Sequence, residues 1–313
     1  MADTSVALPC SDTVLTLRNP ILTASGTFGY GLEFTPYGDL ASLGGIVVKG
    51  LSLKPRAGNP MPRIAETPAG MLNAIGLQNC GVETFLKTKL PTLPWRNVPV
   101  IANLYATNIN EFAELAATLA REEGIAALEV NISCPNVQCG GVLFGQDPAM
   151  AESVTSAVKK NAGIKPVILK LSPNVTDITA IAKACERGGA DCISCINTLQ
   201  GMAVDIRTRK NRLANGIGGL SGPAIKPVAL RCVWQVAHAI TIPVIGIGGV
   251  SSAEDVLEFI LAGAHAVEVG TANLTRPDTA FRIAAELPAL MDSLGIPSLE
   301  SFRGSLEGAS PHV

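Results

Sequence analysis

The chain has 313 residues, of which 47% are hydrophobic and 16% are charged, so it is long enough to bury one large core. Its formal net charge of −2 provides no overall positive field, which argues against a nucleic-acid-binding protein. The N-terminal stretch MADTSVALPCSD lacks a basic signal-peptide region, and no run reaches the ~18 apolar residues of a membrane helix. We therefore expect a cytoplasmic protein without a membrane partner.

Short apolar runs rich in β-branched residues recur along the chain, and each is followed by a helical pattern. Continuous runs of this kind are typical of parallel strands that are buried on both faces. The eight predicted strands are Ile21–Ser25, Ile46–Gly50, Val100–Leu104, Ala127–Ile132, Val167–Leu171, Cys192–Asn197, Pro243–Ile247 and Ala266–Gly270.

Amphipathic segments between these runs predict helices, one of which starts with a serine cap and has acidic residues in its first turn. The predicted helices are Asn110–Glu123 with Asn110 as its N-cap, Pro148–Asn161, Asp177–Gly188, Pro223–Ala239 and Ser252–Leu261. Strands that alternate with helices eight times predict an α/β fold, namely a (β/α)8 TIM barrel with inserted loops over its C-terminal face. Thr13–Leu17 is predicted to belong to a small N-terminal β-hairpin that closes the bottom of the barrel.

The alternative fold is a doubly wound open sheet, which usually has a glycine-rich turn after its first strand. The first predicted strand here runs into ASGTFGYG, which lacks the GxGxxG spacing, so the barrel is favoured. No Ser/Gly-rich, Pro-rich or like-charge linker divides the sequence, and residues 1–313 are therefore predicted to form one domain.

Eight cysteines are many for a protein expected in the cytoplasm, where thiols stay reduced, and no disulfide framework is predicted. Cys192 and Cys195 form a CxxC pair, but on a strand they point to opposite faces. No second pair and no nearby histidine completes a ligand set, so we expect no metal here. Most of the cysteines are interpreted as small buried hydrophobic residues.

In a TIM barrel the active site lies at the carboxyl ends of the strands. Polar side chains or glycines lie at the carboxyl ends of all eight predicted strands: Ser25, Lys49, Asn103, Asn131, Lys170, Asn197, Thr198, Gly248, Gly249, Gly270 and Thr271. The preferences of turns explain the glycines and part of the asparagines. They do not explain Lys49 and Lys170 inside apolar runs, because a buried lysine is unfavourable unless it meets an anion.

The sequence GIGGVSSAEDV places Gly248 and Gly249 just before a predicted helix, and VEVGTA follows on the next strand. Loops after strands seven and eight, with a helix N-terminus, form the usual phosphate site of this fold. They predict a phosphorylated ligand with a large polar ring, and FMN fits. A phosphorylated substrate without a flavin would also fit this cradle. With FMN bound, Lys170 would lie near the flavin N1–O2 edge and stabilise negative charge there.

Cys134 lies just past a strand end in NISCPN, and the following loop, VQCGGVLFGQDP, contains glycines that would allow it to move as a lid. A cysteine is usually a buried structural thiol, but the polar neighbours and the strand-end position favour a reactive role. Cys139 in the same loop is a competitor, although its neighbours Gln138 and Gly140 indicate a more exposed tip.

The segment Gly70–Asn79, which follows the second predicted strand, is apolar but contains several amides and glycines. It is either a packed Ω-loop or the wall of a pocket for a small anionic heterocycle. Composition alone does not separate these two interpretations.

The motifs NISCPN, NAIGLQN, LKLSPN, CINT, GIGGV and EVGTA together resemble those of dihydroorotate dehydrogenases, in family order from about Ser25 to Thr271. The run NISCPNV with its GG and FG loop resembles the class 1B catalytic subunit in particular. Class 1A enzymes have a different loop after the cysteine. Class 2 enzymes have serine at the base position and an N-terminal membrane extension.

This resemblance implies oxidation of (S)-dihydroorotate to orotate in de novo pyrimidine biosynthesis. Cys134 would take the C5 proton of the substrate while a hydride leaves C6 for flavin N5. The residues implied to hold one FMN per chain are Ser25, Lys49, Gly50, Asn103, Asn131, Lys170, Ile196, Gly222, Gly248, Gly249, Gly270 and Thr271. Those implied to bind the substrate are Lys49, Asn73, Ala74, Ile75, Gly76, Leu77, Asn131, Asn136, Asn197 and Thr198.

The same resemblance implies that electrons pass to NAD through a second subunit, which carries FAD and a [2Fe–2S] cluster. It also implies a homodimer of catalytic chains flanked by two such subunits. The sequence has no FAD fingerprint and no C-x4-C-x2-C cluster spacing. FAD and the iron–sulfur cluster are therefore expected only in the partner.

The main alternative function is a dihydropyrimidine dehydrogenase-like FMN reductase. Lys49 beside the substrate ring favours orotate, because orotate carries a carboxylate that uracil lacks. A tRNA dihydrouridine synthase also uses a loop cysteine, but it needs a basic RNA-binding surface, which the net charge of −2 disfavours. A non-catalytic scaffold would not require Lys49, Lys170 and Cys134 together at strand ends.

Overall fold

The computed structural model of the chain describes residues 2–133 and 144–308. The strands in these ranges are β1 (Val6–Pro9), β2 (Val14–Leu17), β3 (Ile21–Thr23), β4 (Gly45–Val47), β5 (Ile64–Thr67), β6 (Gly70–Asn73), β7 (Val100–Leu104), β8 (Ala127–Asn131), β9 (Val167–Leu171), β10 (Cys192–Cys195), β11 (Leu199–Met202), β12 (Val204–Asp205), β13 (Lys210–Asn211), β14 (Ile217–Ser221), β15 (Val244–Ile247) and β16 (Ala266–Val269).

The α-helices of the same ranges are α1 (Val82–Thr88), α2 (Ile109–Ala120), α3 (Pro148–Asn161), α4 (Ile178–Arg187), α5 (Lys226–Ala239), α6 (Ala253–Leu261), α7 (Ala272–Thr275), α8 (Thr279–Ser293) and α9 (Leu299–Phe302). Short 3-10 turns lie at Leu32–Phe34, Leu40–Ser42, Leu90–Thr92 and Pro223–Ile225. None of the helices in the described ranges combines the length and apolarity that crossing a bilayer requires.

Eight parallel strands close into a barrel in the order β3, β4, β7, β8, β9, β10, β15 and β16, and β16 pairs with β3. The predicted TIM barrel is therefore confirmed. The predicted bounds of β7 and β9 match the structure, whereas β4 ends at Val47 rather than at Gly50. The residues just past several of the strands leave the sheet to form the rim, which is where polar side chains were expected.

Burial on both faces explains why these strands read as continuous apolar runs. Every residue of β7 and of β9 is buried, although β9 contains Lys170. The helices cover the outer face with apolar stripes, as α2 does with Phe112, Leu115 and Leu119. Full burial of each such side chain contributes about 1.5–3 kcal/mol, so the core is formed jointly by the barrel and its helices.

Helix caps decide the helix boundaries. Ser252 caps α6 by accepting a hydrogen bond from the Asp255 amide, and the Asp255 carboxylate completes a capping box. The helix α3 has the predicted bounds. The prediction that Asn110 caps α2 is wrong, because the extended residue Asn108 accepts from the Glu111 amide at 3.0 Å and Asn110 already lies within the helix.

The strands β1 and β2 form the predicted N-terminal hairpin. Leu8 and Leu17 are fully buried. The amide and hydroxyl of Ser11 both donate to the Asp191 carboxylate, and Asp191 directly precedes β10. The hairpin therefore lies at the amino ends of the barrel strands, opposite the expected active site.

A second sheet is built from two long excursions, one after β4 and one after β10. It is antiparallel, in the order β11, β14, β6 and β5, while β12 and β13 form a separate hairpin. Because both excursions start at carboxyl ends of barrel strands, they lie over the C-terminal face, as predicted. The sequence alone did not predict that they pair with each other.

Cys192 and Cys195 of β10 have different surroundings, which fits the prediction of opposite faces. Cys195 interacts with Cys232 of α5, outside the barrel. Cys192 feels the charges of Glu129 and Glu268. The described ranges contain no group of three or more His, Cys, Asp or Glu side chains that could hold a metal ion.

Candidate active site

A cavity of about 640 Å³ opens between the carboxyl ends of the barrel strands and the second sheet. Its wall includes every residue predicted to hold FMN and every residue predicted to bind substrate except Asn136. Asn136, Cys134 and Cys139 lie outside the described residues. Closure of the barrel brings positions as distant as Ser25 and Thr271 into one cavity, whereas the role of each residue stays a prediction.

Lys170 lies in the wall of this cavity with its ammonium group held by carboxylates. Its Nζ is 3.1 Å from Oε2 of Glu268 and 3.6 Å from Oε2 of Glu129, and the exposed fractions of the three side chains are 6%, 1% and 0%. Glu129 also accepts hydrogen bonds from Asn103 at 2.5 Å and from Ser194 at 2.8 Å. The anions that a buried lysine requires are thus supplied by the chain itself.

The three ionisable groups titrate differently because their surroundings differ. Burial opposes the charge of Lys170, but Glu129 and Glu268 outweigh it and raise the pKa of the ammonium group. Burial also opposes ionisation of Glu129, yet Lys170 and the hydrogen bonds lower the pKa of this carboxyl. For Glu268, burial and the negative charge of Glu129 raise the pKa well above its usual value.

Lys49 follows β4 and lines another part of the cavity, where it is half-buried. Burial, reinforced by the positive charge of Arg63, lowers the pKa of its ammonium group. The described part of the chain has no carboxylate within 4.0 Å of its Nζ. Arg63 donates to Oε1 of Gln78 at 2.8 Å, while its buried Nε has no partner there. This end of the cavity is therefore suited to an anionic ligand.

Glycines line the side of the cavity near β15 and β16. Gly222 and Gly249 have φ values of +94° and +77°, which favour glycine. A Cβ on Gly249 would lie 2.8 Å from the Lys226 side chain and 3.0 Å from the Gly222 carbonyl oxygen. Glycine is therefore needed where these two backbone segments meet at the cavity wall, in the loops for which a phosphate site was predicted.

Amide side chains form a connected network on the opposite side. Ser133 donates from its amide and hydroxyl groups to Oδ1 of Asn131, at 3.2 and 2.6 Å. Asn197 donates to the Ser133 hydroxyl, and its own Oδ1 accepts from the Thr198 amide at 2.8 Å. Asn174 adds a hydrogen bond to the Thr198 carbonyl at 3.0 Å. The network fixes these polar groups before any ligand arrives, and it ends at the residue before Cys134.

The loop 73–77 follows β6 and forms one wall of the cavity. Asn59 donates from its backbone and side chain to the carbonyls of Ile75 and Ala74, both at 3.0 Å. Gly76 has φ +76°, and a Cβ there would lie 2.5 Å from the Asn59 side chain. Leu77 has φ +59°, a conformation uncommon for a non-glycine residue. Of the two interpretations left open by composition, this geometry supports the pocket wall.

Comparison of the sequence with known proteins identifies the family of the chain. The family profile described as "Dihydroorotate dehydrogenase" matches residues 10–291. The chain belongs to the dihydroorotate dehydrogenase family. A relative from Solidesulfovibrio magneticus is 72% identical over 97% of this chain and 98% of its own length. A relative from Maridesulfovibrio salexigens is 69% identical over 94% of this chain and 96% of its own length.

A third relative, from a Geobacter species, is 58% identical over 93% of this chain and 95% of its own length. All three bear the name "Dihydroorotate dehydrogenase B (NAD(+)), catalytic subunit". Members of the dihydroorotate dehydrogenase family are flavoenzymes. The resemblance inferred from the sequence motifs is therefore confirmed, including the class.

Several residues at this site were missed by the sequence predictions. Glu129 and Glu268 interrupt apolar strands just as Lys170 does, and that shared anomaly could have paired them. Asn174 was visible in the motif LKLSPN. Nothing in the local sequence marked Arg63 as a site residue, because only the folded second sheet brings it near Lys49.

Proposed function

We propose that this chain is the FMN-binding catalytic subunit of a class 1B dihydroorotate dehydrogenase, which oxidises (S)-dihydroorotate to orotate in pyrimidine biosynthesis. The observation that carries the proposal is the cavity at the barrel mouth. It combines a glycine-lined side suited to a phosphate with a cationic, amide-rich side suited to a small anionic heterocycle. The near full-length relatives named as catalytic subunits support the same activity.

The residues of the cavity fit FMN. Asn103 is 1% exposed, yet its Oδ1 has no hydrogen-bond partner among the described residues, as expected of an acceptor reserved for a ligand. Bound FMN would supply the hydride acceptor of the reaction. The residues that would hold it are Ser25, Lys49, Gly50, Asn103, Asn131, Lys170, Ile196, Gly222, Gly248, Gly249, Gly270 and Thr271.

The substrate side of the cavity fits a carboxylate on a planar amide ring. Lys49, with Arg63 nearby, provides the positive charge that binds the carboxylate, and this favours dihydroorotate over dihydrouracil. Amide groups would orient the ring through hydrogen bonds to its polar edges. The groups that bind substrate are Lys49, Asn73, Ala74, Ile75, Gly76, Leu77, Asn131, Asn197, Thr198 and, outside the described residues, Asn136.

Cys134 is the proposed base, and it directly follows Ser133 in the chain. Hydrogen bonds from Ser133 to Asn131 and from Asn197 to Ser133 hold the residue before the cysteine against the cavity. The C5 proton of dihydroorotate is weakly acidic, so its removal needs a positioned base. A free thiol has a pKa near ~8.5, and activity is therefore expected to rise with pH as the thiolate forms.

The absorbance spectrum of the purified chain tests cofactor and substrate together. We expect flavin bands that bleach when dihydroorotate is added without oxygen, and no bleaching with dihydrouracil at the same concentration. Lys54→Ala, which changes an exposed lysine, is the matched control and should bleach like the parent chain. The proposal would be contradicted by a chain that shows no flavin bands once added free FMN has been removed. Bleaching by dihydrouracil would contradict it as well.

Replacing the proposed base tests the chemistry separately. Cys134→Ala should lower kcat by about 10²–10⁴-fold, the usual contribution of a general base, while FMN stays bound. Cys139→Ala serves as the matched variant in the same loop and should keep most of the turnover. A normal kcat in Cys134→Ala, or a larger loss in Cys139→Ala, would reject Cys134 as the base.

The catalytic chain is also proposed to work with a partner, as the name of its relatives implies for them. We infer a homodimer of catalytic chains, each of one domain over residues 1–313, flanked by subunits that carry FAD and a [2Fe–2S] cluster and reduce NAD. We expect the assembly in the cytoplasm, without nucleic acid or membrane. Reduction of NAD by dihydroorotate should require the second subunit, and its occurrence with the isolated chain would contradict this arrangement.

A further inference from the structure

Glu129 and Glu268 place two carboxyl groups around one ammonium group inside the barrel, since Oε2 of each lies within 3.6 Å of Lys170 Nζ. Two ionised carboxylates would leave one negative charge unbalanced, because Lys170 supplies a single positive charge. They also repel each other strongly where water is excluded, and both side chains are at most 1% exposed. The geometry therefore favours one proton on this buried pair of carboxyl groups.

The hydrogen-bond donors around each group indicate where this proton resides. Glu129 accepts from Asn103 at 2.5 Å and from Ser194 at 2.8 Å, and Lys170 lies 3.6 Å away. The hydrogen bond that Glu268 accepts from the described residues comes from Lys170 at 3.1 Å. Because donors stabilise the ionised form, Glu129 is the carboxylate and Glu268 is the neutral acid. The lowered pKa of the Glu129 carboxyl and the raised pKa of the Glu268 carboxyl agree with this assignment of the proton.

The charges of the cluster then sum to zero. The titratable groups facing Glu268 are Glu129 from β8, Lys170 from β9 and Cys192 from β10. Burial raises the pKa of the Cys192 thiol well above its usual value, so the thiol is neutral. One ammonium and one carboxylate remain. Without the proton on Glu268, the cluster would carry one net negative charge beside the cavity wall.

We propose that Glu268 is a positioning residue that holds one proton for the cluster formed with Glu129 and Lys170, so that a single carboxylate balances the Lys170 ammonium while FMN is bound and reduced. The link to FMN rests on the proposed function. The shared proton is a property of the polypeptide alone. Reduction of a flavin adds negative charge, and a neutral cluster opposes that change less than an anionic one.

Infrared spectroscopy of the full chain tests for the proton directly. At neutral pH we expect the C=O stretch of a neutral carboxylic acid that shifts when the protein is labelled with 13C-glutamate. Glu268→Gln should lack this band, whereas Glu300→Gln, at an exposed site, should retain it. A labelled wild-type chain without the band would overturn the proposal, and this measurement needs no variant to fold.

The pH dependence of stability gives a second test that needs no cofactor. Because the pKa of Glu268 is raised on folding, the native state binds more protons than the unfolded state above the unfolded carboxyl pKa of ~4.3. Its contribution to stability is therefore full below that pH and is lost as pH rises toward the folded value. The Tm of Glu268→Gln relative to wild type should increase over this range. If the Tm difference between Glu268→Gln and wild type stayed as constant with pH as that of Glu300→Gln, the proposal would be overturned.

The reduction potential of bound FMN tests the functional link. At neutral pH we expect Glu268→Gln, which mimics the neutral acid, to have the wild-type potential. At alkaline pH, loss of the proton from Glu268 should weaken binding of reduced relative to oxidised FMN about tenfold in wild type only, which is about 30 mV for a two-electron couple. A tenfold change of this ratio in Glu268→Gln at neutral pH would show two ionised carboxylates and overturn the proposal. If the chain binds no FMN, the proposed function fails. The infrared and stability tests would still show whether Glu268 holds a proton.

Discussion

Lys49 and Lys170 both interrupt apolar runs of the sequence, but the fold gives them opposite surroundings. Lys170 is buried, contacts two carboxyl groups and has a raised pKa. Lys49 is half-buried, lies near Arg63 and has a lowered pKa. One ammonium group is neutralised by the protein, whereas the other is proposed to bind an anionic ligand.

This difference matters because burial of a charge is tolerated only with compensation. The barrel interior compensates Lys170 before any ligand binds, so its charge is a fixed part of the folded chain. At the rim, burial and the positive charge of Arg63 outweigh the negative charge of Glu33, so we propose that an anionic substrate compensates Lys49. A lysine at a strand end can therefore be structural or ligand-binding, and its neighbours across the barrel decide which.

Removing Lys170 should have the largest effect. Lys170→Met leaves Glu129 and Glu268 without their cation, and loss of one partner of a buried ion pair usually costs about 3–5 kcal/mol of unfolding free energy. Binding of FMN should weaken as well. Lys226→Met is the matched control, because Lys226 pairs with Asp255 and Glu258 at a partly exposed site; it should cost about 1 kcal/mol or less. Denaturant unfolding and flavin titration would measure both effects. Equal losses of unfolding free energy in Lys170→Met and Lys226→Met would contradict the special role of the buried ion pair.

Removing Lys49 should affect the substrate rather than the fold. Lys49→Ala is expected to raise the KM for dihydroorotate about 10–10²-fold, because it deletes a charge-assisted contact of about 1.5–3 kcal/mol. The unfolding free energy should change little, and binding of FMN, which many other residues are also proposed to hold, should be weakened less than binding of the substrate. Steady-state kinetics beside denaturant unfolding would check this. A loss of stability as large as that of Lys170→Met would mean that Lys49 is structural too.

A smaller effect should appear in the pH dependence of KM. Because burial and Arg63 lower the pKa of Lys49, its ammonium group loses its proton at a lower pH than an ordinary lysine. The KM for dihydroorotate should therefore increase on the alkaline side, by a few-fold at first. Lys49→Arg keeps its charge and should show a flat profile there. A similar rise in KM in Lys49→Arg would assign the pH dependence to another group.

Much of the fold followed from local patterns. All eight barrel strands were recognisable because burial on both faces makes each one a continuous apolar run. The helix α8 was not predicted from its pattern, which contains Pro288, and the second sheet was not predicted because its strands come from distant excursions. Strand pairing between residues such as Asn73 and Gly219 depends on the path of the whole chain.

For the candidate site, strand-end positions and family motifs predicted about half of the residues in the cavity wall. They did not reveal the partners of Lys170, although Glu129 and Glu268 break the same apolar pattern. Cys134, Cys139 and Asn136 lie outside the described residues, so their roles stay predictions. Arg63 was missed because nothing in its local sequence distinguishes it from a solvated arginine.

The sequence by itself determined which segments are strands, where polar groups follow them and to which family the chain belongs, because these depend on local order along the chain. The tertiary structure decided which charges meet. Lys170 and Glu268 are far apart in the chain, yet closure of the barrel places Nζ and Oε2 3.1 Å apart. Electrostatic interactions depend on distance and on exclusion of water, and in this protein both are set only when the strands close into a ring.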